Sequence, residues 1–267
     1  YDYEPIYALG SMLGIGDPNG LLKLMDVVEM YGLDAMSTGV ILAWITEALE
    51  KGIISEKETI VKLEWGDYQK YIKAVEFIVK QPNEFYKYAA LGLDSLAEKY
   101  GGQDFALSYG GNPMPGYHTG PAAHIGYLIG ARHSHLDTAG YSLDQKLLGK
   151  KYPTPEELVD KLVEEECWRQ ILSSLVVCFF ARGIYKPDIV VKALQPLGYT
   201  YNVDDLKKLG TEIYREKYRL KVREGFKISK LRIPKRLLET PTPHGLVSEE
   251  YVVKALEYFK KKMNIPE

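Results

Sequence analysis

The sequence predicts an all-α, multihelical fold in two packed helical domains, and three observations carry that expectation. Apolar residues recur at helical spacing through most of the chain, helix caps and stops fall where the periodicity begins and ends, and strand-type alternation is nearly absent. With 267 residues, 46% of them hydrophobic, the chain has enough apolar surface for a large core, so it is globular. Asp17-Pro18 supplies an N-cap and a proline at the first helical position, Leu21, Leu24, Met25 and Val28 keep one face apolar, and Gly32 ends the run. A second helix begins near Asp34, buries Met36, Val40, Ile41, Trp44, Ile45 and Leu49, and closes on a basic last turn and a glycine, Lys51-Gly52. The same reading predicts helices at about 56–63, 66–80, 83–99, 155–164, 166–182, 186–194, 203–220 and 248–262. From Gly101 to Gly120 the density of glycines, with Pro113 and Pro115, excludes a regular element and predicts an ordered loop or a boundary. The polar stretch Leu143 to Pro155 predicts the domain division, giving residues 1–145 and 146–267. No short-period repeat or coiled coil is present.

Charge and cysteine content narrow the function. Basic residues number 34 and acidic residues 36, for a net charge of -2, which gives no global attraction to nucleic acid or to an anionic membrane. The longest apolar run, Ile171 to Ala181 broken by two serines, is too short to span a bilayer, so a soluble, cytoplasmic protein is expected. Cys167 and Cys178 are its two cysteines, which suits a reducing compartment and excludes a disulfide framework. The chain has no dinucleotide-binding Gly-x-Gly-x-x-Gly loop, P-loop, His-Glu-x-x-His or Gly-x-Ser-x-Gly elbow. It opens on Tyr1 without a methionine, and a partial chain is expected.

Two hexapeptides hold the chemistry. Glu29-Met30-Tyr31-Gly32-Leu33-Asp34 reads acid-x-x-Gly-Leu-Asp, and Ser173-Ser174-Leu175-Val176-Val177-Cys178 occupies the place of a related motif ending in cysteine. Around them, in collinear order, stand Tyr3-Glu4 with Leu9-Gly10-Ser11, Glu47 to Gly52, Trp65-Gly66-Asp67, Tyr100-Gly101-Gly102, Arg132-His133-Ser134-His135, Val222 to Phe226, and Ile233 to Arg236. Together these blocks resemble the helical, carboxyl-terminal part of the tungsten-containing aldehyde ferredoxin oxidoreductase family. The resemblance implies a tungstopterin or molybdopterin cofactor and a [4Fe–4S] cluster in the complete enzyme. It also implies an amino-terminal pterin domain, with a Cys-x-x-Cys-x-x-x-Cys run, outside this chain. Electrons would pass to ferredoxin as aldehydes are oxidised to carboxylic acids. The isolated chain is then expected to be inactive, to hold no cofactor by itself, and to self-associate through a face left uncovered, as a homo-oligomer.

By that resemblance Glu29, Leu33, Asp34, Arg132, Ser173, Val177 and Cys178 would contact the cofactor, Cys178 would be the fourth cluster thiolate, and Glu4 and His135 would manage protons. Each also has a plain structural reading. Asp34 reads as an N-cap, Glu29 as a solvated last-turn residue, and Glu4 as an exposed residue near a terminus. Arg132 reads as half of an ion pair, and Cys178 as a small buried hydrophobe in an apolar helix. His133 competes with His135 as the active-site imidazole, and Cys167 is expected to be structural. The second hexapeptide departs from the family pattern, with Ser173 in place of an acid and Val176 in place of glycine. That departure leaves two other readings open: a different superfamily reaction such as reduction of an aromatic thioester, and a cofactor-free helical scaffold subunit.

Overall fold

The computed structural model describes residues 2–265 and is multihelical. The chain divides into two compact units: the residues up to Tyr117 together with Ile233–Glu239, and His118–Arg232 together with the residues from Thr240 onward.

The first unit contains α1 (Tyr3–Leu9), α2 (Pro18–Met30), α3 (Ala35–Glu50), α4 (Glu56–Thr59), α5 (Tyr68–Lys80), α6 (Glu84–Leu91) and α7 (Leu93–Tyr100). A two-residue antiparallel pair, β1 (Ser108–Tyr109) and β2 (Asn112–Pro113), follows. Helix α3 is the centre of this unit, burying Val40, Ile41, Leu42, Trp44 and Ile45 against Leu24, Val28, Tyr71 and Val75. Its helix α13 (Lys235–Glu239) arrives late in the chain, and Arg236 grips Glu47 of α3 through both guanidinium nitrogens while lying over the Phe105 ring.

The second unit contains α8 (Pro121–Ile129), α9 (Gly140–Leu147), α10 (Pro155–Ser174), α11 (Pro187–Leu194), α12 (Val203–Arg223) and α14 (Glu249–Met263). Helices α10, α12 and α14 pack around Tyr214, Tyr218 and Phe259, all three buried, with ring centroids 5.3 to 6.1 Å apart.

Several expectations need correction. Helix 83–99 is two helices, because Gly92 sits at φ +110° between them. The short helix expected at 56–63 stops at Thr59, where Ile60 turns left-handed. The two helices expected at 155–164 and 166–182 are one: no glycine or proline interrupts the interval, and the Thr154–Glu157 capping box starts a helix that runs to Ser174. It then stops short of the expected end at residue 182. Helices α1, α8 and α9 lie outside the elements that the periodicity predicts.

The domain division also falls elsewhere, after Tyr117 rather than between 145 and 146. The stretch expected to divide the domains is instead anchored within the second unit by a buried carboxylate. Asp144, fully buried, accepts from the backbone N–H groups of Ala122 and Ala123 at 3.0 and 2.9 Å, and from the hydroxyls of Thr119 and Tyr152 at 2.9 and 2.6 Å. The stretch 143–155 is polar because it caps α8 from inside, not because it is a linker.

Candidate functional site

The two hexapeptides fold into corners of the same shape. At the end of α2, Tyr31 N–H donates to Val27 O (3.1 Å), Gly32 N–H to Glu29 O (2.9 Å) and Leu33 N–H to Val28 O (3.1 Å), with Gly32 left-handed at φ +66°. At the end of α10, Leu175 N–H donates to Ile171 O (3.0 Å), Val176 N–H to Ser173 O (3.1 Å) and Val177 N–H to Leu172 O (3.3 Å), with Val176 at φ +57°. These are matching Schellman-type ends, residue for residue. Ser173, Val177 and Cys178 therefore stand in the places of Glu29, Leu33 and Asp34.

Each corner puts its polar residues outward. Glu29 and Asp34 are exposed and Leu33 is half-buried, while Ser173 and Cys178 are exposed and Val177 is half-buried. Asp34 does cap α3, its Oδ1 accepting from Ser37 N–H at 2.7 Å. Cys178 begins a single 3₁₀ turn, Phe179–Ala181, and makes no side-chain cap bond. The plain structural reading of Cys178, a buried cysteine in an apolar helix, is thus overturned: the helix ends at Ser174, before the cysteine, and the thiol is exposed. Cys167 is buried, as a structural cysteine would be, and the Thr211 hydroxyl lies 3.5 Å from its sulfur. Burial pushes its thiol pKa up.

The Arg-His-Ser-His segment follows α8 as a tight loop built on Asp137. This buried carboxylate accepts from the N–H groups of Arg132 (2.8 Å) and Ser134 (3.1 Å), and Arg132 Nε lies 2.8 Å from its Oδ1. The ion-pair reading of Arg132 is therefore realised, with a side chain that remains 47% exposed. His133 is buried and left-handed at φ +56°, whereas His135 is half-buried. Burial, with the charge of Lys221, holds the His133 imidazole down to about 4.

Arg169, which sequence reasoning missed, joins this loop to the second corner. Its Nη1 donates to the carbonyls of His135 (3.3 Å) and Leu136 (2.9 Å), its Nη2 pairs with Glu165 at 2.8 Å, and its guanidinium lies over the Phe179 ring beside Cys178. One buried arginine thus fixes His135 and the Cys178 turn in the same neighbourhood. The available signal was its place one turn before Ser173, paired at helical spacing with Glu165.

In the first unit Glu4 lies in the first turn of α1, half-buried, and Tyr117 OH donates to its Oε1 at 2.8 Å. Its carboxylate is held by a named partner rather than frayed at a terminus. The candidate residues fall into a Glu4, Glu29, Leu33 and Asp34 set in the first unit and an Arg132, His135, Ser173, Val177 and Cys178 set in the second.

Taken singly, the exposed carboxylates and backbone of the first corner, and the hydroxyl and backbone of the second, are groups of the kind that pair with a donor- and acceptor-rich heterocycle such as a pterin. An iron–sulfur cluster needs about four thiolates. Cys178 fits as one of them. Cys167 is buried in the α10 to α12 packing, and no group of three His, Cys, Asp or Glu residues suitable for a metal exists among the described residues. No helix among them is long and apolar enough to cross a membrane.

Comparison with known proteins agrees in both sequence and fold. The family model for "Aldehyde ferredoxin oxidoreductase, domains 2 & 3" matches residues 1–263. The chain is 29% identical over 256 residues to a tungsten-containing aldehyde ferredoxin oxidoreductase of Thermococcus kodakarensis, and 28% identical over 256 residues to that of Pyrococcus furiosus. Each match covers 91% of this chain and 42% of the relative, so the chain spans less than half the length of these relatives. Among solved structures, a chain of the active-site complex BamBC of benzoyl coenzyme A reductase, in complex with 1,5-dienoyl-CoA, superposes with a TM-score of 0.74 at 16% identity. That match covers 99% of this chain and 46% of the other, and shows a shared fold.

Proposed function

Because this chain belongs to the aldehyde ferredoxin oxidoreductase family, we propose that it supplies the helical part of a tungstopterin oxidoreductase that converts aldehydes to carboxylic acids. One observation supports the reading above the rest. Two sequence-distant hexapeptides form the same Schellman corner, and the second retains that geometry although valine occupies the place of glycine. Packing does not explain the shared shape, since Val176 is 90% exposed.

In this proposal Glu29, Leu33 and Asp34 hold one pterin arm, Ser173 and Val177 the other, and Cys178 ligates the cluster. Arg132, with its guanidinium partly exposed, meets the cofactor's anionic phosphate. When bound, the cofactor and the cluster would supply the two-electron redox chemistry, with ferredoxin as the electron acceptor. Oxidising an aldehyde with water to an acid releases two electrons and two protons, and Glu4 and His135 receive and pass on those protons. Tyr117 steadies the Glu4 carboxylate through Oε1, and Arg169 steadies the His135 backbone.

The test is anaerobic analysis for tungsten, molybdenum and iron on this chain produced together with the polypeptide carrying the Cys-x-x-Cys-x-x-x-Cys run. About one atom of tungsten or molybdenum and about four of iron per complex are expected, and Cys178→Ser should lower iron while the complex persists. A stable complex without these metals would sink the proposal and leave a helical scaffold.

A further inference from the structure

Lys221 lies in the last turn of α12, in a setting unlike that of the chain's surface lysines. Its Nζ is 2.7 Å from His133 Nε2, 4.6 Å from the Tyr218 ring centroid and 4.0 Å from the Phe226 ring centroid. The other imidazole nitrogen, Nδ1, is 2.9 Å from the Tyr127 carbonyl oxygen. A carbonyl only accepts, so Nδ1 carries the ring proton and Nε2 turns its lone pair toward Lys221. The His133 ring in turn leans on Phe226, centroids 5.6 Å apart. No carboxylate among the described residues comes within ion-pair distance of this amine.

The charged groups facing the amine are few. From the loop after α8 come His133 and Asp137, the latter engaged by Arg132; from α10 comes Glu166, and from α12 the ring of Tyr218, whose hydroxyl donates to the Ile129 carbonyl. Burial pushes Lys221 down to about 8, with Glu166 and Asp137 opposing the shift only in part. A lysine that has lost its water without gaining a counter-ion, and that touches a neutral imidazole, has the surroundings of a nucleophilic amine.

We propose that Lys221 and His133 form a carbonyl-condensing site, at which the lysine amine reversibly captures small aldehydes as imines beside the half-buried Phe226 ring. The amine nitrogen adds to the carbonyl carbon, and His133 Nε2 takes the proton released from nitrogen and returns it to the oxygen of the carbinolamine. Loss of that oxygen as water, together with the second N–H proton, leaves the C=N bond. No electrons are exchanged, and hydrolysis returns the aldehyde. The Tyr218 and Phe226 rings, in edge contact at 6.1 Å between centroids, keep water from one side of the amine. This capture is independent of the redox reading above, since none of its steps uses a metal.

The experiment is performed on the metal-free chain. Propionaldehyde and cyanoborohydride are added across pH 7 to 9, the reaction is stopped early, and peptide mass spectrometry gives the alkylated fraction at each lysine. An ordinary lysine near pKa 10.4 has roughly a hundredfold less free amine at pH 7.5 than one near 8. Lys221 is therefore expected to be alkylated at least about tenfold faster than the surface lysines, a preference that vanishes in urea. His133→Gln should slow alkylation of Lys221 several-fold and leave the other lysines unchanged. Alkylation of Lys221 at the surface rate, or none in the folded chain, overturns the site. An unchanged Lys221 rate in folded His133→Gln removes the histidine from it. Should that variant not fold, the unsubstituted chain still decides the first question. Failure of metal loading leaves all of these outcomes as they are.

Discussion

Val176 shows how one residue can retain a shape at a cost. It is a β-branched side chain in the left-handed region, almost fully exposed, at the position where the other corner has Gly32. The left-handed conformation costs an L-residue about 1–2 kcal/mol, and no packing at Val176 offsets it. Val176→Gly should accordingly raise the unfolding free energy by about 1 kcal/mol, part of the relief being offset by glycine's greater unfolded-state freedom. Gly32→Val should lower it by about 1–2 kcal/mol through strain alone, since an added Cβ there meets nothing within 4 Å. Urea titrations of both variants decide the matter, and a Val176→Gly chain no more stable than its parent would deny the strain. Glu166 presents a second residue-scale cost. It is fully buried on α10, its Oε1 accepts from Ala131 N–H at 2.8 Å, and its Oε2 has no partner. Burial, then the charge of Asp137, pushes its carboxyl well above the usual range. A raised carboxyl pKa means that its stability contribution is complete below the unfolded value, near 4.5, and is lost as pH rises toward the folded value. Glu166→Gln removes that loss. Its stability advantage over the parent should grow by more than about 1 kcal/mol between pH 5 and pH 8, and a constant difference would refute the linkage. Legibility at this scale was uneven. Asp34 could be read from its place before a helical run, whereas Glu166, Asp137 and Arg169 look like ordinary members of a charged surface until the fold turns them inward.

Helix α3 meets α1, and α10 meets α12, through glycines that leave no room for a methyl group. A Cβ on Gly39 would lie 2.4 Å from the Ala8 carbonyl oxygen, and one on Gly210 would lie 2.2 Å from that of Cys167. Backbone atoms cannot rotate away as a side-chain tip can, so Gly39→Ala and Gly210→Ala must separate their helices. Each should destabilise its own unit by roughly 2 kcal/mol or more, despite alanine's better helix propensity. Gly16→Ala is the control, since its added Cβ meets nothing within 4 Å, and thermal unfolding should leave it near the parent. Equal melting temperatures for all four chains would show that the helices adjust without cost. Elements whose ends are marked by residue chemistry were legible in the sequence. Asp17-Pro18 and Lys51-Gly52 frame α2 and α3 within a residue or two, whereas the breaker-rich stretch 101–120, expected to hold no regular element, carries a single 3₁₀ turn and the two-residue β1–β2 pair. Elements whose ends depend on tertiary contacts were not legible. Helix α10 ends without a glycine, α1 and α8 are too short for periodicity to declare them, and α8 takes its N-terminal cap from Asp144, far downstream in the chain.

For the molecule as a whole, the two most exposed large apolar side chains among the described residues, Phe180 and Val176, stand four residues apart in the sequence. Val176, Phe180 and Ile184, at 90%, 91% and 68% exposure, follow α10 directly, and Leu197 and Tyr199 follow α11 at 72% and 51%. Water-facing phenylalanine and isoleucine so close to the Cys178 corner cost solubility, and burying them would gain roughly 1.5–3 kcal/mol per side chain. The chain meanwhile has a net charge of only -2, too small to keep copies apart by repulsion. Both facts favour association over a dilute monomer. Light scattering on the isolated chain should show mass rising with concentration in the micromolar range, and more so in high salt, where apolar contact strengthens. Phe180→Ser with Ile184→Ser should hold the chain monomeric at the same concentration without altering its helical signal, because neither side chain belongs to the core. A parent chain that stays monomeric at high concentration would contradict the expectation. Association that persists in the double variant would move the sticky surface elsewhere. Should the polypeptide carrying the three-cysteine run suppress the association as it binds, the stretch from Val176 to Ile184 would be the surface on which the proposed cofactor site closes.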